Sequence, residues 1–83
     1  MAIVLPFPPA RRVDLVRRQA DRAAAMSEDA GERHIQRQVE LQREALVRKG
    51  CDPERVQAEC YAFETAIRVQ LWNVILYGNG GAA

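Results

Sequence analysis

The sequence predicts an all-α protein, a small three-helix bundle built on an antiparallel αα-hairpin with an extended apolar N-terminal arm. Three stretches repeat apolar residues every three or four positions, which is the spacing of a helix with one buried face. Start and stop signals bracket the second and third stretches. The residues from Gly50 to Pro53 end one helix and begin the next, and so short a connection makes the two helices antiparallel neighbours.

The length of 83 residues allows one small domain. A chain of this size buries only a little over half of the surface that its unfolded form exposes, so a lone core is marginal and a homodimer is an alternative to a monomer. We divide the chain into an extended Pro-rich arm over residues 1–9, a three-helix domain over 10–77 and a flexible Gly/Ala tail over 78–83. The helices are expected near 10–26, 28–49 and 53–77.

The arm reads Met-Ala-Ile-Val-Leu-Pro-Phe-Pro-Pro, and its three prolines exclude a helix. Its apolar residues predict an arm that packs on the third helix near Trp72 and Leu76, docks on a partner, or stays free. The first helix follows. Its predicted inner face holds Val13, Val16, Ala20, Ala23 and Ala24, and its outer face holds Arg11, Arg18 and Arg22.

The second helix begins with Ser27, whose hydroxyl suits an N-cap, followed by two acids in the first turn. It stops at Arg48-Lys49-Gly50, where cations favour the carbonyl end and glycine closes the last turn. Its predicted apolar line is Ile35, Val39, Gln42 and Leu46, widened by Ala30, Leu41 and Ala45.

Local sequence signals predict both ends of the third helix. Asp52 is an N-cap, Pro53 fits the first helical position, and Gly78 can close the far end. One apolar stripe runs through Val56, Cys60, Phe63, Ile67, Leu71 and Val74. From Val69 onward, however, apolar residues point in nearly every direction, so this half must be covered on several sides by the chain or by a partner.

Composition excludes several classes of protein. Twelve basic and eleven acidic residues give a net charge of +1, which is too balanced for a general nucleic-acid coat protein. Cys51 and Cys60 are too few for a disulfide scaffold and are expected to be reduced thiols. The start lacks the basic region of a secretory signal, and no apolar run is long enough to span a membrane. We therefore expect a cytoplasmic protein.

The sequence predicts neither an enzyme nor a metal or cofactor site. The single histidine, His34, is expected at the boundary of the core, and it shares no familiar metal-ligand spacing with the two cysteines. No Gly-rich phosphate loop is present. Glu40 and Glu44 are paired carboxylates, but they lie among arginines on an outward face. The sequence therefore predicts no catalytic residues.

Two binding functions remain, and the first is an interaction module. Its expected contact residues, for another protein or a second copy, are Phe7, Val69, Trp72, Ile75, Leu76 and Tyr77. Arg11, Arg18 and Arg22 form an Arg ridge that would steer an acidic partner. In the alternative function, the same ridge contacts DNA phosphates and the protein is a small DNA-binding accessory protein.

Several short motifs carry a resemblance. They are Val4-Leu5-Pro6-Phe7-Pro8, Ala10-Arg11-Arg12, Arg48-Lys49-Gly50, Asp52-Pro53 and Leu71-Trp72. In this layout the chain resembles a group of short helical alphaproteobacterial proteins common in rhizobia and their mobile elements. Within that group, its size and layout are similar to the quorum-sensing antiactivator of the Mesorhizobium symbiosis island. The resemblance implies a protein that binds and sequesters a LuxR-type transcriptional activator and represses transfer of a mobile element.

Overall fold

The computed structural model describes residues 12–77, which form three helices joined by short connections. The helices are α1 (Val13–Ala24), α2 (Glu28–Arg48) and α3 (Pro53–Tyr77), and every pair of them is in contact. No strand occurs in this part of the chain. The prediction of an all-α three-helix bundle is thus confirmed. The N-terminal arm and the C-terminal tail lie outside the described residues.

The connection between α2 and α3 forms as the sequence predicts. Gly50 adopts a positive φ of 86°, which a residue without Cβ accepts at no steric cost. Its N–H donates to the carbonyl of Val47 at 3.0 Å, and the N–H of Cys51 donates to that of Leu46 at 3.1 Å. These two bonds are a Schellman motif, and Cys51 supplies the apolar contact that accompanies it by packing against the core.

Side-chain caps begin two of the helices. The Oγ of Ser27 accepts the N–H of Ala30 at 3.3 Å, and a carboxylate oxygen of Asp52 accepts the N–H of Arg55 at 3.0 Å. Each cap satisfies one of the backbone donors that a helix start leaves free. Helix α3 then runs from Pro53 to Tyr77, as predicted, and α2 ends at Arg48, one residue earlier than predicted.

The first helix differs from the prediction in its bounds and in its inner face. It begins at Val13, after Arg12 has taken a non-helical conformation with ψ at 87°, and it ends at Ala24. Val13 in the first turn of α1 is 65% exposed, and Ala24 is exposed as well. The residues that α1 buries are Leu15, Val16, Gln19, Ala20 and Ala23. The buried face is therefore rotated toward Leu15 and Gln19.

The core lies between the three helices. Its fully enclosed side chains are Phe63, Ile35, Ile67 and Cys60. The predicted stripe of α3 is confirmed, with four members buried and its last two, Leu71 and Val74, half-buried. Leu41 on α2 is 45% exposed and does not belong to the core, contrary to prediction.

Because α3 is much longer than α1, part of α3 stays uncovered. At 1.5 Å per residue, α3 is about 37 Å long and α1 about 18 Å. The principal extents of 45 × 27 × 15 Å describe an elongated, thin body. Beyond Ile67, no residue of α3 is fully buried. The last third of α3 is consequently apolar helix that the described residues leave largely uncovered.

Candidate protein-interaction surface

Five of the predicted contact residues lie together on the uncovered part of α3. This α3 apolar patch comprises Val69, Trp72, Ile75, Leu76 and Tyr77, which are 56%, 61%, 62%, 60% and 63% exposed. Phe7, the sixth predicted contact, lies outside the described residues. Several large apolar side chains exposed close together along one helix mark an interaction site on a small protein. Tyr61, 73% exposed on the same helix, was missed because it stands outside the C-terminal apolar run.

A groove adjoins the α3 apolar patch where α1 ends and α2 begins. Its volume is about 500 Å³. The apolar residues that line it are Ala23, Ala24, Met26, Leu71, Trp72 and Ile75. Ala23 and Ala24 of α1 face larger residues of α3, and the cleft between them falls in the size range of ligand pockets, so it is large enough to receive an apolar side chain of a partner.

The close approach of α1 and α2 at the groove depends on Gly31. A Cβ built at this buried position would lie 3.0 Å from the carbonyl oxygen of Ala23. A backbone carbonyl moves little, so the two helices come this close because position 31 has no side chain. The sequence shows Gly31 as a weak point in the first turn of α2, and the structure shows it as a packing position.

Arg68 binds two carboxylates at the rim of the groove. Its guanidinium donates to Glu32 of α2 at 2.7 and 3.0 Å, and to Glu64 of α3 at 3.0 and 2.9 Å. These hydrogen bonds from Arg68 hold the pKa of Glu32 below its usual value. In turn, the hydrogen bond to Glu32, followed by that to Glu64, raises the pKa of Arg68. Charge-assisted bidentate bonds of this kind fix the angle between α2 and α3.

The buried polar residue of α1 has a partner on α2. The Nε2–H of His34 donates to Oε1 of Gln19 at 2.8 Å. Burial lowers the pKa of His34, and the positive charge of Arg22 lowers it further. His34 therefore lies at the boundary of the core, as predicted, and its interhelical bond explains why a glutamine is buried in α1.

The Arg ridge is exposed along α1 as far as the structure describes it. Arg18 and Arg22 are both open to solvent, and Arg11 lies outside the described residues. Arg18 lies 4.0 Å from the carboxylate of Asp14, which stands one helical turn earlier. Such a loose, exposed contact leaves the charge of Arg18 accessible to a partner.

The thiols have different surroundings. Cys60 is buried in the core, and this burial raises its pKa, so it behaves as a small apolar residue. Cys51 is half-buried against the same core, and both thiols are free. Between residues 12 and 77, no three His, Cys, Asp or Glu residues come together in a group that could hold a metal ion. Across the same residues, no helix has the length and apolarity needed to cross a membrane.

The comparisons with known proteins identify a family. No curated protein matches the chain, and no solved structure matches it. A match does cover residues 1–82, and its description is "Family of unknown function (DUF6074)". This description contains no link to rhizobial antiactivators. Because the match spans nearly the whole chain, the protein belongs to this family of unknown function, DUF6074.

Proposed function

We propose that this protein is a non-catalytic regulatory interaction module of the cytoplasm that binds another protein through the α3 apolar patch and its groove. The observation that carries the proposal is the exposure of five large apolar side chains on one uncharged stretch of helix. Exposure of this surface to water is unfavourable, because full burial of such a side chain contributes about 1.5–3 kcal/mol of favourable free energy. A partner that covers the patch recovers part of that free energy.

The chemistry of the patch suits a protein partner. Trp and Tyr dominate binding energies in protein interfaces, and here Trp72 and Tyr77 lie on one helix. The groove beside Trp72 accepts an apolar side chain, while Arg68 and Glu32 at its rim offer polar contacts at the edge. An apolar centre with a charged rim is the usual arrangement of a specific interface.

The resemblance to rhizobial antiactivators supplies the identity of the partner in this proposal. The chain would bind a LuxR-type transcriptional activator, sequester it, and thereby repress transfer of a mobile element. A small helical protein with surplus apolar surface fits this role, because sequestration needs affinity for the activator and no chemistry. No cofactor or metal takes part.

The Arg ridge would contribute to the rate of association. Arg18 and Arg22 present positive charge on α1, and Arg11 extends the ridge in sequence. Exposed charges of one sign steer a partner of the opposite sign and raise the association rate more than the final affinity. Added salt should therefore slow association with an acidic partner while changing the dissociation rate little.

Two matched lysine variants test the proposal. Ile75 and Val47 are 62% and 60% exposed, and each lies in the last turn of its helix, where a lysine is compatible with the helix dipole. Ile75→Lys places a charge in the α3 apolar patch, whereas Val47→Lys places one at the far end of α2. The probe is a purified LuxR-type activator encoded on the same mobile element, measured by calorimetry and by release of its promoter DNA.

We expect the wild type and Val47→Lys to bind the activator with similar affinity and Ile75→Lys to bind at least about tenfold more weakly, a loss of about 1.4 kcal/mol. Circular dichroism confirms that both variants are folded. Equal affinity of all three proteins would remove the patch from the contact. Failure of the wild type to bind would remove the LuxR-type activator as the partner.

DNA binding by the first helix is the second candidate, and the exposure of Arg18 and Arg22 favours it. The acids of the same helix, Asp14 and Asp21, offset part of this charge. Binding to a DNA duplex that falls steeply with salt and is lost in Arg18→Gln/Arg22→Gln would support this candidate. Binding to the activator that is insensitive to these two substitutions at high salt would support the interaction module.

A further inference from the structure

The solvent-facing side of α3 carries a second regular stripe, which the fold leaves uncovered. This outer seam comprises Ala58, Ala62, Thr65, Val69, Trp72 and Leu76. Every member is exposed. The intervals between them alternate between four and three residues, which is the a/d spacing of a coiled coil sustained for nearly three heptads. The inner stripe of the same helix packs against α1 and α2, so the outer seam points away from the bundle.

We infer that the outer seam pairs with the outer seam of a second copy of this chain, with the two α3 helices antiparallel. The inference deepens the proposed function and rests on it, because it assigns part of the α3 apolar patch to self-association. The groove, which Leu71 and Ile75 line on α3, stays free for the regulatory partner.

The seam is complementary to itself when the helices run in opposite directions. A two-fold axis at the level of Ile67 places Ala62 opposite Trp72 and Ala58 opposite Leu76. The same axis places Thr65 opposite Val69. The Ala62–Trp72 and Ala58–Leu76 layers then join a small and a large side chain, which is how facing positions fill space evenly, and the Thr65–Val69 layers join two side chains of similar size. A parallel pair would instead crowd the two Trp72 rings at one end and leave a gap between alanines at the other.

The charge pattern also fits a two-fold contact. In such a contact, residues near the axis meet their own copies, so an unpaired charge close to the axis lies near a like charge. No member of the seam is charged. Arg68, which flanks the seam near the axis, is already bound by Glu32 and Glu64. The positive charge of Arg68 is therefore neutralised within each copy, and this cluster of one arginine and two glutamates keeps one negative charge.

The exposed area is sufficient for a specific interface. Val69, Trp72 and Leu76 are each about three-fifths exposed, and Tyr61 beside the seam is 73% exposed. Together with the smaller seam residues they present roughly 600 Å² per copy. Full burial of this area in two copies would remove at most roughly 1,200 Å² from water, which is the lower limit for specific protein interfaces. A dimer of moderate affinity is expected.

Sedimentation equilibrium of the full chain from micromolar to millimolar concentration tests the dimer. Ala62→Glu places a charge against Trp72 of the second copy, and Gln57→Glu adds the same charge to α3 away from the seam. Both positions are exposed, and glutamate is a good helix former, so the monomer should stay folded. We expect dimers for the wild type and Gln57→Glu, and an increase of at least about 100-fold in the dissociation constant for Ala62→Glu.

A monomeric wild type at all concentrations would overturn the inference, whether the seam is then covered by the arm or left open. Dimers of unchanged affinity in Ala62→Glu would overturn it as well, because the interface would lie elsewhere. Neither result touches the proposed function, which is tested separately by Ile75→Lys with the activator. Loss of activator binding in Ile75→Lys while the dimer persists would support both assignments.

Disulfide trapping tests the antiparallel orientation. In a Cys51→Ser background, with Cys60 left in the core, Thr65→Cys in one chain should face Val69→Cys in another. Mild oxidation of an equimolar mixture of the two variants should give mainly the mixed disulfide. Predominance of the Thr65→Cys homodimer would indicate a parallel pair and overturn the orientation.

Discussion

The two faces of α3 have apolar residues at similar spacing, but one face is buried and the other is exposed. The inner stripe, from Val56 through Cys60 and Phe63 to Ile67, is buried against α1 and α2. The outer seam repeats the same intervals on the opposite side and is exposed along its whole length. Spacing alone therefore does not decide which face a bundle covers. At the level of α1 and α2, the inner face of α3 has large side chains. At the same level, the seam on the opposite face has the small residues Ala58, Ala62 and Thr65.

The first prediction contrasts two aromatic residues of α3. Phe63 is fully buried and Trp72 is 61% exposed. Phe63→Ala should lower the free energy of unfolding by about 3–5 kcal/mol, because it leaves a cavity in the core. Trp72→Ala should lower that of the monomer by less than about 0.5 kcal/mol. Urea denaturation at low micromolar concentration measures both, and equal losses would show that Trp72 is covered within its own chain.

The second prediction concerns the closest approach of two helices. Gly31→Ala should destabilise the fold by about 1–2 kcal/mol, although alanine is normally the better helix former, since its Cβ would press on the carbonyl of Ala23. Ala58→Leu adds a larger group to the open face and should change the stability of the monomer by less than about 0.5 kcal/mol. Thermal unfolding followed by circular dichroism measures both, and a stabilised Gly31→Ala variant would refute the close packing.

The third prediction compares two arginines that bind acids. Arg68→Lys removes a fork that bonds Glu32 and Glu64 together, and it should cost about 0.5–1.5 kcal/mol. Arg18→Lys changes a single exposed contact of 4.0 Å and should have no measurable effect on unfolding. If both substitutions proved neutral in denaturant titrations, the Arg68 bonds would have no role in holding α2 to α3.

The smallest predicted effect is the pH dependence that comes from His34. Its pKa is lowered in the folded state by burial and by Arg22, so the unfolded chain binds the proton more readily. The stability is therefore fully present above the unfolded pKa of about 6.5 and declines as the pH falls below it. His34→Gln should flatten unfolding curves between about pH 7 and pH 5, and an unchanged pH dependence would contradict the assignment. The pKa of Glu32 is also lowered in the folded state, so protonation of Glu32 decreases the stability as well, but only as the pH falls below the ordinary value of 4.5.

Local signals in the sequence predict the ends of α3 and the hairpin. Asp52, Pro53 and Gly50 act on the backbone within a few residues of themselves, so their effect is readable without the fold. The exposed patch was also predictable, because residues beyond Val69 are apolar on every side and the chain is short. The first helix was predicted less well. Its buried face includes Gln19, whose place depends on a partner in another helix.

Contacts between distant residues could not be read from the sequence. The pair Glu64 and Arg68 stands at a helical spacing, but Glu32 lies 36 residues from Arg68. Their bond exists because α2 and α3 are antiparallel with a particular register. The groove likewise depends on the ends of two helices meeting a third. Gly31 offered one signal, since a glycine in the first turns of a helix often marks a close contact.

The emission of the single tryptophan gives the most direct test of the central claim, that the outer seam of α3 pairs with a second copy of the chain. Trp72 is 61% exposed in one copy and lies in the middle of the large half of the outer seam. We predict a solvent-type emission maximum at nanomolar concentration that moves to shorter wavelength as the wild-type chain is concentrated, and no such movement in Ala62→Glu. An emission maximum that stays constant in the wild type from nanomolar to millimolar concentration would contradict the claim.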